Sequence, residues 1–80
     1  MPVVLTVAGF RVRIYLPPRE HDPPHVHVVK AGAEVVITLD DPPAVRDVLG
    51  MSGRDVVRAY RIVEDHWTML LAAWWRRYHG

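Results

Sequence analysis

Three of the chain's five histidines fall within the seven residues His21-Asp22-Pro23-Pro24-His25-Val26-His27. After the prolines the order is His25-Val26-His27-Val28, an alternation with a period of two that marks a strand. On a strand His25 and His27 share one face. Neutral imidazole ligates zinc, nickel, copper or iron. A His-x-His pair is thus one half of a site for a divalent transition metal, with His21, Asp22, Glu20 or Glu34 able to supply the remaining ligands. Without a metal, the pair could exchange protons with a substrate. A third reading is an interaction surface. The plainest is two strand histidines that pack and hydrogen-bond with their neighbours.

Arg11 and Arg13 are the next candidates. They alternate with apolar residues and would share the histidine face, together with Tyr15. Arginine, tyrosine and histidine on one sheet face suit RNA, through phosphate contacts and base stacking. They also suit metal-free RNA cleavage, with His25 and His27 as acid and base and Arg11 and Arg13 holding phosphate. The competing reading is that alternating arginines keep an exposed sheet face soluble. No Gly-rich phosphate loop, Ser-His-Asp order or His-Glu-x-x-His motif is present.

The elements that must carry these residues are legible from patterning. Val3 to Ala8 reads as a strand, Ala8-Gly9 as a tight turn, and Phe10 to Leu16 as a second strand. Residues 17–24 form a proline-rich loop. His25 to Lys30 and Ala33 to Leu39 make a hairpin about Ala31-Gly32. In that register His25 faces Thr38, His27 faces Val36 and Glu34 faces Val29. His25, His27, Glu34 and Thr38 then share a face, and Val26, Val28, Val35 and Ile37 take the buried one. Asp40-Asp41-Pro42-Pro43 breaks the sheet. Ala44 to Leu49 reads as a short helical turn stopped by Gly50. A long helix begins at the N-cap Ser52, with Met51 and Val56 as its hydrophobic staple, and runs to about Tyr78. Its apolar stripe is Val56, Tyr60, Val63, Trp67, Leu70, Leu71 and Trp74. Arg76, Arg77 and His79 at its end complement the macrodipole.

One domain over residues 1–80 is expected. It is an α+β, two-layer ββββα architecture, with a four-stranded antiparallel sheet packed on one long C-terminal helix. A straight helix of that length would span about 36–39 Å. It would overhang the sheet and carry Trp74, Trp75 and Tyr78 beyond it. Ile62, Met69 and Ala73 form a second apolar shoulder near His66, and with Trp75 they suggest a partner surface or a homodimer contact.

Composition limits the function classes. With no cysteine among 80 residues, a disulfide framework, a thiolate zinc site and a cysteine nucleophile are excluded. A formal net charge of +1 predicts no bulk attraction to nucleic acid. No apolar run approaches the roughly 20 residues of a membrane span, and Pro2 to Val7 is too short for a secretion signal. A cytoplasmic location is the resulting expectation.

Several segments in order carry a resemblance: Met1-Pro2-Val3-Val4-Leu5, Gly9-Phe10-Arg11, Pro23-Pro24-His25-Val26-His27-Val28, and Ala73-Trp74 through His79-Gly80. Together they resemble the small bacterial "domain of unknown function 4160" family across nearly the whole chain. The Pro-Pro-His-x-His-Val core is the most specific part. The resemblance implies no established activity. It implies a neighbouring gene for another short protein, as in toxin–antitoxin pairs, and hence a small protein partner. Asp40-Asp41-Pro42-Pro43 departs from the family's plainer connection.

Overall fold

The computed structural model describes residues 3–15 and 23–79, the side chains of residues 78 and 79 excepted. Among the described residues, five strands precede two helices: β1 Val3–Val7, β2 Phe10–Arg13, β3 His25–Lys30, β4 Ala33–Thr38, β5 Ala44–Leu49, α1 Gly53–Asp65 and α2 Trp67–His79. The strands form one antiparallel sheet in sequence order. Leu16 and loop residues 17–22, with the candidates Glu20, His21 and Asp22, lie outside the described residues.

Both two-residue hairpins are Ala-Gly turns. Ala8 and Ala31 each have φ 49°, and Gly9 and Gly32 have φ 83° and 82°. Two successive positive φ values are what a type I′ turn needs to match the twist of its strands. No atom lies within 4 Å of where a Gly32 Cβ would stand. Gly32→Ala is therefore expected to cost about 1–2 kcal/mol from backbone strain alone, read as a lower urea midpoint. The β3–β4 register is the expected one: His25 opposite Thr38, His27 opposite Val36 and Val29 opposite Glu34.

Phe10, Val12, Ile14, Val26, Val28, Val35 and Ile37 are buried in one cluster with Ala59 and Val63 of α1 and Leu70, Ala73 and Trp74 of α2. This is the expected sheet-on-helix core, with two corrections to the elements around it.

The first correction is that Ala44–Leu49 is a strand, not a helical turn. Val48 pairs with Val35, Asp47 with Val36, Val45 with Ile37 and Ala44 with Thr38. Arg46 is the extra residue of a bulge. The bulge sets Val45 and Val48 on the same face although they are three apart. An apolar spacing of three imitates a helix, so the period-two signal is absent.

The second correction is that the helix breaks at His66. Its φ of −114° and ψ of 19° lie outside the helical region. The His66 Nδ1–H donates to the Ile62 carbonyl at 2.8 Å, alongside its backbone N–H at 3.1 Å. Length explains why the break falls here. The 13 residues of α1 rise about 20 Å, and a six-residue strand spans about the same. Lys30 Nζ lies 3.6 Å from Asp55 Oδ1 and ties the start of α1 to the β3–β4 turn. Ser52 Oγ accepts from Asp55 N–H at 3.2 Å, the expected N-cap. From that anchor α1 reaches the far end of the sheet and has nothing left to cover. Trp67 Nε1–H donates to the Leu39 carbonyl there, at 3.2 Å. A straight helix from Gly53 to His79 would measure about 40 Å. The longest dimension of the molecule is 34 Å. The overhang is removed by bending.

Candidate functional site: a histidine and aromatic cluster

The bend carries Trp74 to the Pro-Pro-His-x-His segment. Pro24 precedes β3, and its carbonyl accepts from Leu39 N–H at 2.8 Å, which closes the β3–β4 ladder beyond Thr38. His25 Nδ1 lies 2.9 Å from the Pro23 carbonyl. A carbonyl only accepts, so the proton is on Nδ1. The His25 ring sits 5.0 Å from the Trp74 ring and 5.2 Å from the His27 ring. His25 is 2% exposed. It is a buried side chain that ties Pro23 to the strand and packs on a helix.

His27 has a different environment. Its Nδ1 is 2.7 Å from Glu34 Oε2, and neither side chain is fully buried. The carboxylate accepts, so Nδ1–H donates and Nε2 is the basic nitrogen of the neutral ring. Tyr15 meets the His27 ring edge to face at 4.7 Å. An imidazole oriented by a carboxylate is the arrangement of a general base with its orienting group. Arg13 is the register partner of His27, and Arg11 that of Val29, so both arginines occupy the histidine face as expected. Arg11 is exposed and Arg13 half-buried.

That face is not an open solvent face, however. Val36 and Thr38 are buried on it beside His25. Thr38 Oγ1 has hydrogen-bond contacts to Asp40 Oδ2 at 3.0 Å and to the Ala44 carbonyl at 3.2 Å. Among the described residues, no three His, Cys, Asp or Glu side chains gather as a metal site. Of the four metal candidates, His25, His27 and Glu34 lie on this face; His21 is outside the described residues.

Sequence patterning places Tyr15 on the histidine face but does not reveal its ring contact with His27. It gives no sign of Trp74 as a neighbour of His25. No spacing announces that contact, because it depends on the bend at His66.

The helix shoulder is partly absorbed. Ala73 is buried and Ile62 packs against the core, whereas Met69 is 38% and Trp75 41% exposed. At the bend, an open hollow of about 510 Å³ is lined by Glu64, Asp65, His66, Trp67, Met69 and Ala72, with Thr68. Among the described residues, no helix is long and apolar enough to cross a membrane.

A five-stranded antiparallel sheet, two helices and an imidazole–aromatic cluster define a small α+β domain. The chain belongs to the domain of unknown function 4160 (DUF4160) family, whose sequence profile matches residues 9–75. That span contains both helix-bend and histidine residues. No curated protein and no solved structure showed a match.

Proposed function

We propose that this chain is a cytoplasmic protein-interaction component of a two-gene, toxin–antitoxin-like module. The observation that carries the reading is the hollow at the helix bend, where Met69 is exposed beside Trp67 and Ala72. An exposed thioether beside a half-buried indole in a concave site suits insertion of a partner side chain. Glu64 and Asp65 give the rim negative charge, so the fitting segment is apolar and flanked by lysine or arginine. The partner is the short protein encoded beside this one.

The test is co-purification of that neighbour with the tagged chain. Met69→Glu is expected to weaken the complex by about 30-fold or more, as for a central contact residue, with an unchanged melting temperature. A complex insensitive to Met69→Glu, or no complex at all, would remove the reading.

A second reading is favoured by the 2.7 Å His27–Glu34 contact. Here His27 takes the proton of the attacking 2′-hydroxyl, Glu34 orients it, Arg13 and Arg11 hold the phosphate, and the leaving 5′-oxygen takes its proton from water. Loss of cleavage in His27→Ala and in Glu34→Gln, with binding retained, is the expected result. Cleavage at wild-type rate in both would exclude it.

A further inference from the structure

The two outer strands of the sheet are treated differently. In β1, four of five residues are half-buried. In β5 all six are exposed, including Val45 at 44%, Val48 at 46% and Leu49 at 57%. Among the described residues β4 is the sole neighbour of β5 in the sheet. An outer strand with apolar side chains and unpaired backbone groups is a template for another strand.

The order of residues in β5 says which strand fits. Suppose a second β5 is laid antiparallel to the first, with a two-fold axis through the sheet between Arg46 and Asp47. Val45 then meets Val48 of the second copy, twice by symmetry. Ala44 meets Leu49, and Arg46 meets Asp47. In a regular strand this register would oppose side chains from different faces. The bulge removes that obstacle for the valines, and it leaves Arg46 without a β4 partner to fix its face. Val45 and Val48 both lie on the face of Ile37 and Val35, and Ala44 and Asp47 both lie on the face of Thr38 and Val36. Registers centred on a single residue would instead set Arg46 against Arg46 or Asp47 against Asp47. Charge on an outer strand also serves to repel pairing, but a guard of one sign does that best. Adjacent residues of opposite sign are self-complementary under a two-fold axis.

We infer that β5 is a self-association edge, and that two copies of this chain pair β5 to β5 in this register to form one continuous sheet. The inference is independent of the partner docked at the helix bend. A standard interface covers about 800 Å² per partner, and one six-residue edge is smaller, so the dimer belongs to the weak, micromolar class.

Sedimentation equilibrium of the full chain from about 1 μM to 1 mM tests it. The wild type is expected to show a reversible monomer–dimer equilibrium within that range. Arg46→Asp alone and Asp47→Arg alone should each weaken it about tenfold or more, by placing like charges opposite each other. Equimolar mixing of these two variants should restore a dimer, because each supplies the charge that the other lacks. The double variant Arg46→Asp/Asp47→Arg should associate like the wild type. Circular dichroism and melting should not change, since both side chains are exposed. A wild type that stays monomeric to 1 mM, single variants that dimerise at full strength, or a mixture that fails to recover would each overturn the inference.

Discussion

Trp74→Ala is expected to cost about 3–5 kcal/mol of folding stability, the range for truncating a buried aromatic side chain. Trp74 is fully buried and is the largest of the fully buried side chains among the described residues. It joins residues of the sheet and both helices in one cluster, and its ring also packs on His25. For an 80-residue domain the total stability is about 4–12 kcal/mol. The loss is therefore a large fraction of the whole, and the melting temperature should fall by about 12 °C or more. Trp75→Ala is the control. Trp75 is 41% exposed, and its removal should change stability by about 0.5 kcal/mol or less. Urea unfolding followed by circular dichroism compares the two directly. Equal effects of the two substitutions would show that α2 does not pack through Trp74.

The contrast between adjacent tryptophans is legible in the sequence, because a 100° step on a helix separates a buried position from an exposed one. The hairpins are legible for a similar reason. Ala8-Gly9 and Ala31-Gly32 allow a two-residue turn, and the turn then dictates every cross-strand pair from His25–Thr38 to Lys30–Ala33. Two features are hidden. The bulge at Arg46 turns the strand signal of β5 into a spacing of three. The break at His66 contains neither proline nor glycine, and its stretch of sequence reads as uninterrupted helix. What stops the helix is the end of the sheet beneath it, a tertiary limit that local pattern does not encode. The site inherits the same division. His27 and Glu34 meet because the hairpin register puts them on one face. His25 and Trp74 meet because the helix bends.

That division predicts opposite consequences for two histidines only two residues apart. His25→Ala should cost about 2–4 kcal/mol. It removes a ring that is 2% exposed, and it leaves the Pro23 carbonyl without its Nδ1–H donor. The pairing between His25 and Trp74 should be visible as non-additivity. In a double-mutant cycle with Trp74→Phe, the coupling is expected at about 0.5–1.5 kcal/mol, the usual size for packed rings. His25→Phe should recover part of the loss, because it refills the volume without restoring the hydrogen bond. His27→Ala should cost less, about 1–2 kcal/mol, because its side chain keeps 12% exposure and its partner Glu34, at 28%, can turn to water. If the face acts on RNA, the order reverses: His27→Ala removes activity while the fold survives, and His25→Phe retains it. Chemical unfolding of the four single variants and the double variant ranks the stabilities. A His27→Ala loss equal to that of His25→Ala would mean that both imidazoles serve the fold, and the histidine face would then have no assigned chemistry.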